Sequence, residues 1–220
     1  MLTYRFQDCA KHVRIGKIIC LARTYKEHAQ EMNTEVTEDP LLFLKPTSSV
    51  IFNHGTIIIP QRSGCLHHEV ELGIIIGKKG RYIAEEKALQ YVLGYLVALD
   101  ITARDIQYKA KKNGLPWTIA KGFDTFAPLS DAVLKEKAPH PQKLDLILKI
   151  NGVTKQNANT NQMIYSVESI ISFISEIMTL ERGDLILTGT PEGVGELKEG
   201  DILEARLGSL CTLTVDVKQG

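Results

Sequence analysis

The sequence predicts an α+β fold in which a few short helices accompany a mixed, curled β-sheet. Most apolar segments are short runs rich in Ile, Val and Leu, bounded by Gly, Pro or Asn, as is typical of strands. The Asn151-Gly152 pair stands between two such runs and predicts a tight hairpin, so at least part of the sheet is antiparallel. Helical segments are too few and too irregularly placed for a repeating βαβ pattern.

The strands are predicted from β-branched and aliphatic residues followed by a turn signal. In chain order they span 17–21, 41–44, 56–60, 68–77, 94–101, 144–150, 184–187, 202–207 and 210–217.

The helices are predicted from capping patterns and from apolar periodicity. Residues 24–27 have the sequence of a capping box, and residues 102–105 resemble one with an acidic third position. Gly114 is a stop signal for the second helix, and apolar residues three and four apart indicate a third helix with one buried face. The predicted helices span 25–32, 103–113 and 166–178, with a weaker candidate over 84–91.

Charge and hydropathy exclude several classes of protein. Lys and Arg number 26 and Asp and Glu number 26, so the formal net charge is zero. This balance argues against a non-specific binder of nucleic acid or of anionic membranes, which needs a basic excess. The most basic stretch, residues 109–112, is interpreted as a solvated helix end. No apolar stretch approaches the length that spans a membrane, and the N-terminus does not resemble a signal peptide.

The cysteines indicate the cellular compartment. Cys9, Cys20, Cys65 and Cys211 are scattered and include no Cys-x-x-Cys pair. A chain of this length also needs no disulfides to stabilise its core, so the pattern suggests a reducing environment. We therefore expect a cytoplasmic protein.

Glu69 and Glu71 are the most informative pair in the chain. Alternate residues of a strand face the same side, so both carboxylates point one way while Val70 and Leu72 point the other. Two such charges about 4 Å apart repel by roughly 4 kcal/mol at an effective dielectric constant near 20. Either water solvates them on an exposed strand face or a cation binds between them. These residues alone leave both interpretations open.

Asp100 is a third acid, at the end of the next predicted strand and just before the second predicted helix. It either serves the turn or completes a triad with Glu69 and Glu71. Three carboxylate oxygens suit a hard cation such as Mg²⁺ or Mn²⁺ and leave coordination positions open for water and substrate.

Lys121, His28 and Glu31 are candidate catalytic residues. Lys121 lies in a mostly apolar segment, where its ammonium either extends to solvent or is held near an anion and stabilises charge on a substrate. His28 and Glu31 share one helix face, as a solvated pair or as a base that activates water. The Gly-rich residues 188–195 match no phosphate-binding motif and are either a plain loop or a backbone-lined pocket.

Six motifs in order resemble the fumarylacetoacetate hydrolase family, specifically its short, single-domain branch of acylpyruvases and oxaloacetate decarboxylases. The resemblance runs from about residue 17 to residue 217. One departure is Thr24, where relatives usually carry Asn, and it predicts altered stability of a lid helix rather than lost function. The motifs are RTYKEH (23–28), FLKP (43–46), HHEVEL (67–72), LDITARD (99–105), WTIAKGFD (117–124) and LTGTPEGVG (187–195).

The resemblance implies a curled mixed β-sheet roll, with residues 1–16 as an N-terminal arm and residues 17–220 as a single catalytic domain, usually in a homodimer. It implies a divalent metal held by Glu69, Glu71 and Asp100. It further implies that Lys121 is catalytic and that His28 and Glu31 form a dyad on the lid helix. By the same analogy the substrate is bound by Arg23, Lys45, Arg104, Gln107 and Thr190.

The activity implied by the resemblance is that of a metal-dependent hydrolase or lyase of small β-dicarbonyl 2-keto acids. Acylpyruvate hydrolysis, oxaloacetate decarboxylation and keto–enol tautomerisation share an enolate, whose charge the metal and Lys121 would accept. Two alternatives stay open. One is an enzyme of aromatic catabolism resembling 2-keto-4-pentenoate hydratase or 2-hydroxyhepta-2,4-diene-1,7-dioate isomerase. The other is a non-enzymatic domain whose acids bind a cation for stability.

Overall fold

The structure, a computed structural model, describes residues 2–7, 9–31 and 39–220. Its helices are α1 (Lys26–Glu31), α2 (Arg104–Lys112), α3 (Thr118–Lys121) and α4 (Val167–Ile177). Short 3₁₀ helices span Thr47–Ser49, Glu85–Tyr91, Lys135–Lys137, Pro141–Lys143 and Thr160–Gln162. The strands are β1 (Ile18–Ala22), β2 (Leu41–Lys45), β3 (Val50–Phe52), β4 (Thr56–Ile59), β5 (Leu66–His68), β6 (Val70–Ile76), β7 (Val92–Leu99), β8 (Thr102–Ala103), β9 (Ala127–Leu129), β10 (Val133–Leu134), β11 (Asp145–Ile150), β12 (Val153–Asn159), β13 (Leu185–Leu187), β14 (Gly195–Leu197), β15 (Ile202–Leu207) and β16 (Cys211–Gln219).

Three sheets contain the strands of the described residues. The largest has the order β2-β1-β13-β6-β7-β9-β3, with β10 paired to β7. The second has the order β12-β11-β15-β16-β4, and the third has the order β14-β5-β8. The pairs β1–β13, β3–β9 and β4–β16 are parallel, whereas pairs such as β6–β7 and β11–β12 are antiparallel. The two larger sheets are therefore mixed, whereas the third is antiparallel.

The largest sheet is buried on both faces, which explains why β6 is apolar over most of its length. On one face Leu72 and Ile74 pack in a core cluster that also contains Ile171 of α4 and Leu148 of the second sheet. On the other face Ile75 belongs to a smaller cluster. Close packing on both faces thus holds the central strands β6 and β7 rigidly, and the residues at the ends of these strands are held in place with them.

The start of the chain covers the second face of the largest sheet. Tyr4, Val13 and Ile15 are buried in the smaller cluster. The Tyr4 hydroxyl donates a hydrogen bond of 2.8 Å to the carbonyl of Gly183. The described part of the N-terminal arm therefore packs against the sheet as part of its core.

The predicted α+β class with a mixed sheet is confirmed. Except for 68–77, each predicted strand coincides with an observed one to within two residues. At the predicted hairpin Ile150 pairs with Val153, and Asn151 and Gly152 have φ angles of 51° and 79°. Both central residues therefore adopt the left-handed conformation that a type I′ turn requires. The three helices are also observed, although residue 32 lies outside the described residues, and the weaker candidate is a 3₁₀ helix.

Two predictions of local structure are wrong. The strand predicted over 68–77 is interrupted at Glu69, because β5 ends at His68 to pair within the third sheet and β6 begins at Val70. Thr102 does not cap α2, which begins after Ala103 without a side-chain cap. Local sequence cannot anticipate either feature, since both arise from contacts with distant segments.

The helices of the described residues all fall short of the length and apolar character that a membrane-spanning segment needs.

Candidate active site

Antiparallel pairing of β6 with β7 brings the three acids together. Val70 pairs with Leu99, so the residues just outside the two strands face each other, and the Asp100 N–H donates a 2.8 Å hydrogen bond to the Glu69 carbonyl. One carboxylate oxygen from each of Glu69, Glu71 and Asp100 lies within 4.8 Å of the others. Their residues are 6%, 1% and 0% exposed. The interpretation of Glu69 and Glu71 as a solvated strand face is therefore wrong.

The donor set fits a divalent cation. Three carboxylates offer hard oxygen ligands at one point, which suits Mg²⁺ or Mn²⁺ better than softer metals. The Glu71 Oε1 atom is buried and has no hydrogen-bond partner among the described residues. A buried acceptor without a partner costs about 1–3 kcal/mol, and a bound cation would satisfy it.

Lys121, at the end of α3, lies directly against the triad. Its Nζ donates to Glu69 Oε2 at 2.9 Å, to Asp100 Oδ2 at 2.6 Å and to Thr102 Oγ1 at 2.6 Å. The side chain is 2% exposed, so the interpretation of a lysine that extends to solvent is wrong. Burial alone would lower the pKa of Lys121, but the charges of Asp100 and Glu69 outweigh it and raise the pKa. The ammonium form is thus strongly held.

The pKa values of the two glutamates are shifted in opposite directions. Burial, together with repulsion from Asp100 and Glu69, raises the pKa of Glu71 well above its usual value. Burial also acts on Glu69, but Lys121 and Arg104 outweigh it and hold the pKa of Glu69 well below its usual value. Glu71 is therefore the acid whose ionised form the surrounding protein compensates least.

Lys45 was expected to bind substrate, but it lies behind Asp100. It is not among the residues that border the cavity beside the acid triad. Its Nζ is 2.8 Å from Asp100 Oδ1 and donates to the carbonyls of Ile101, Lys121 and Phe126 at 3.0, 2.7 and 2.9 Å. Burial lowers the pKa of Lys45, and Asp100 opposes this effect. Several acceptors around one nitrogen favour the ammonium form, so Lys45 positions Asp100 from the side away from the cavity.

The first turns of α2 supply the next residues of the site. Arg104 forms an ion pair with Glu69 Oε1 and donates to Gln107 Oε1 at 2.6 Å and to His67 Nδ1 at 3.3 Å. Burial and the nearby Arg104 cation lower the pKa of His67 to about 4. A neutral His67 can accept this hydrogen bond, which fixes the guanidinium against Glu69.

His28 and Glu31 form the expected pair on α1. His28 Nδ1 lies 3.2 Å from Glu31 Oε2, and the Gly193 N–H donates to both Glu31 oxygens at 3.1 and 3.2 Å. When the proton is on Nδ1, Nε2 keeps a free lone pair that can accept a proton.

The Gly-rich loop after β13 contacts the site at two points. At one end the Gly189 N–H donates to Glu71 Oε2 at 2.8 Å, and at the other Gly193 holds Glu31. Their φ angles are +88° and +90°, and an added Cβ would lie 2.1 Å from Thr24 Oγ1 and 2.2 Å from the Lys155 carbonyl oxygen. Both positions therefore require glycine. The loop is more than a plain connection, because its backbone N–H groups hold two acids of the site, whereas Thr190 is its residue on the cavity wall.

A cavity of about 40 Å³ lies among these groups, which is room for about three water molecules. Its walls include the expected residues Arg23, His28, Glu69, Glu71, Arg104, Gln107, Lys121 and Thr190. Thr190 is fixed because its hydroxyl donates to the Val70 carbonyl at 2.9 Å and accepts from Gln156 Nε2 at 2.8 Å. These residues thus surround one space beside the acid triad.

Sequence reasoning missed four residues of the site. Thr102 and Gln156 act through long-range hydrogen bonds, and nothing in the local sequence signals such bonds. Trp117 and Lys111 border the cavity. Lys111 is exposed near the end of α2, which agrees with the prediction of a solvated helix end, but it also borders the cavity. Its spacing of seven from Arg104 is a signal that would have placed it on the same helix face.

The fold and this buried acid site define a metal-dependent class of enzymes, and comparison with known proteins identifies the class. The family model of the fumarylacetoacetate (FAA) hydrolase C-terminal domain matches residues 17–218. The chain belongs to the fumarylacetoacetate hydrolase family.

Within this family the chain is similar to proteins of established name. It is 50% identical over 203 residues to the mitochondrial oxaloacetate tautomerase FAHD1 of Arabidopsis thaliana, with 92% of this chain and 91% of that protein covered. It is 50% identical over 197 residues to the mitochondrial oxaloacetate decarboxylase of Dictyostelium discoideum, with 89% of this chain and 90% of that protein covered. The crystal structure of fumarylpyruvate hydrolase from Pseudomonas aeruginosa with Mn²⁺ and pyruvate has a TM-score of 0.96 and 32% identity, covering 100% of this chain and 96% of that chain.

Gly189→Ala should weaken metal binding, because the added methyl clashes with Thr24 and displaces the N–H that binds Glu71. Gly200→Ala is a matched control: φ is +87°, and no atom lies within 4 Å of its added Cβ. Each variant should lose about 1–2 kcal/mol of stability from the left-handed backbone. Only Gly189→Ala should bind Mn²⁺ about tenfold more weakly or worse in calorimetric titration. Equal metal affinities would contradict the role of the loop.

Glu71→Gln should abolish metal binding yet stabilise the metal-free protein at alkaline pH. The pKa of Glu71 is raised from 4.5 in the folded state. The protonated form of Glu71 therefore contributes fully to the stability of the wild type below pH 4.5, the pKa in the unfolded chain. This contribution is lost as the pH rises through the raised pKa of the folded state. In urea unfolding with EDTA, the stability of the variant relative to the wild type should increase by about 1–3 kcal/mol as the pH rises from 4.5 into the alkaline range. All other titrating groups are shared, so a difference independent of pH would refute this assignment.

Proposed function

We propose that the chain is a divalent-metal-dependent enzyme that tautomerises and decarboxylates oxaloacetate and hydrolyses acylpyruvates, with Mg²⁺ or Mn²⁺ as cofactor. Two relatives with 50% sequence identity to this chain are named oxaloacetate tautomerase and oxaloacetate decarboxylase. The structural neighbour that contains Mn²⁺ and pyruvate is a fumarylpyruvate hydrolase. In all of these reactions, negative charge develops on the oxygen of a 2-keto acid.

The buried triad of Glu69, Glu71 and Asp100 in contact with Lys121 is the observation that carries this proposal. A divalent cation bound there supplies a Lewis acid for the carboxylate and 2-keto oxygens of the substrate. The open cavity beside the triad distinguishes this arrangement from a purely structural cation site, in which the protein would supply every ligand.

Lys121 stabilises the negative charge that develops on the substrate oxygen. Its three N–H groups are directed to Glu69, Asp100 and Thr102. One carboxylate bond must therefore be exchanged for a bond to the substrate. The bond to Thr102 keeps the ammonium oriented during this exchange, so the donor is in place before charge develops.

His28 and Glu31 serve the hydrolytic reaction. With its Nδ1 proton directed to Glu31, His28 takes a proton from water at Nε2, and the resulting hydroxide attacks the distal carbonyl. Decarboxylation of oxaloacetate uses no water, so it does not need this step. Among the reactions proposed for this site, hydrolysis is thus the one that depends on His28 and Glu31.

An isomerase of longer unsaturated diacids is the weaker alternative. The 2-hydroxyhepta-2,4-diene-1,7-dioate isomerase of Mycobacterium marinum has a TM-score of 0.83 and 35% identity, and the match covers 94% of this chain but 76% of that one.

We further propose that the protein is a cytoplasmic homodimer. The dimer is an inference from the family resemblance. The location is supported by the four cysteines, all of which are free thiols, as is usual in a reducing compartment.

Removal and restoration of the metal tests the proposed function. After treatment with EDTA the protein should turn over neither oxaloacetate nor acetylpyruvate, and added Mg²⁺ or Mn²⁺ should restore both activities, followed by ultraviolet absorbance of the enol forms and by pyruvate release. Glu71→Gln should not respond to metal. If the wild type processes neither substrate with either metal, the proposed function is wrong.

His28→Asn should separate the reactions. Because only hydrolysis uses the proton acceptor, kcat for acetylpyruvate should fall by about a hundredfold or more, and kcat for oxaloacetate decarboxylation should change by less than about fivefold. Lys26→Gln alters an exposed side chain of the same helix and should leave both rates unchanged. Equal losses in both reactions would contradict the assigned role of His28.

A further inference from the structure

The active-site cavity has more cationic than anionic side chains on its walls. Arg23, Arg104, Lys111 and Lys121 border it, against the carboxylates of Glu69 and Glu71. Lys45 and Asp100, just behind the wall, neutralise each other. A divalent cation adds further positive charge. The cavity therefore attracts a ligand with more than one negative charge.

Lys111 is the cation on this wall whose role is unassigned. Its ammonium forms no hydrogen bond or ion pair within the described part of the chain, whereas Arg104 and Lys121 are both paired with Glu69. Its neighbours Lys109 and Lys112 are not among the residues that border the cavity. Lys111 is exposed, as Lys109 and Lys112 are, but it differs from them because its side chain borders the cavity.

The geometry of α2 places Lys111 at a distance from the acid triad. Arg104, Gln107 and Lys111 are spaced i, i+3 and i+7, so they share one helix face. Lys111 lies about 10 Å further along the helix axis than Arg104. Because Arg104 contacts Glu69 and Lys111 also borders the cavity, α2 presents one cation at the acid triad and a second cation further along the cavity wall.

The charges around Lys111 favour an anionic ligand there. Burial lowers its pKa, repulsion from Arg23 and Arg104 lowers it further, and Glu69 opposes these effects. An anionic group between these cations would remove the repulsion.

We propose that Lys111 determines substrate specificity by binding the distal carboxylate of a 2-keto dicarboxylate whose 2-keto acid end lies at the triad. This inference rests on the proposed function and deepens it. The enzyme should then prefer dianionic substrates such as oxaloacetate over monoanionic ones such as acetylpyruvate.

The first test is a comparison of turnover in variants of α2. Lys111→Gln should lower kcat/KM for oxaloacetate about tenfold or more, mainly through KM, and change that for acetylpyruvate less than about twofold. Lys111→Arg keeps the charge and should retain most of the activity. Lys112→Gln, the matched control, should leave both substrates unaffected. Equal loss for both substrates, or no loss for oxaloacetate, overturns the proposal.

The second test measures binding without chemistry. Calorimetric titration of the Mg²⁺-loaded protein compares 2-oxoglutarate with 2-oxopentanoate, which has a methyl group in place of the distal carboxylate. The wild type should bind 2-oxoglutarate about tenfold more tightly, and Lys111→Gln should lose this preference. No preference in the wild type, or one that persists in the variant, overturns the inference. If the wild type prefers 2-oxoglutarate and Lys111→Gln does not, but the wild type turns over no 2-keto acid, the proposed function is wrong and the inference about Lys111 stands.

Discussion

Mutual repulsion of three buried carboxylates is the constraint on which this site depends. Two unit charges about 4 Å apart interact by roughly 4 kcal/mol at an effective dielectric constant near 20. This is a large fraction of the 5–15 kcal/mol that typically stabilises a domain. Cations compensate the acids unequally: Lys121 and Arg104 hold Glu69, and Lys121 and Lys45 hold Asp100.

Glu71 is the acid that this network leaves uncompensated. It receives one N–H from Gly189, and its Oε1 atom has no hydrogen-bond partner among the described residues. The metal-free protein therefore stores unfavourable free energy at the residue where a divalent cation would relieve it. Stability and function oppose each other here, as is common at sites whose charges serve a ligand. The two long strands β6 and β7 tolerate this cost because both faces of their sheet are packed.

The Gly-rich loop and α2 position the other residues of the site. Through Gly189 and Gly193 the loop connects the metal end of the site to the His28–Glu31 pair, so the acid triad and the proton acceptor keep a fixed relation. The other wall is α2, which presents Arg104 at the triad and Lys111 about two turns away. A substrate bound between them would be held at both ends, which favours reaction by orientation.

The sequence by itself determined the mixed α+β fold, the hairpin at Asn151-Gly152 and the alternation that puts Glu69 and Glu71 on one side. It also contained the spacing that groups His28 with Glu31. These features depend on neighbours a few residues apart, where backbone geometry fixes which side chains can meet. Only the tertiary structure decided that the acids are buried, that Thr102 binds Lys121 and that Lys45 lies behind Asp100. Thr102 and Lys121 are 19 residues apart and Lys45 and Asp100 are 55 apart. The formation of these contacts depends on how the sheets pack, which no local pattern encodes.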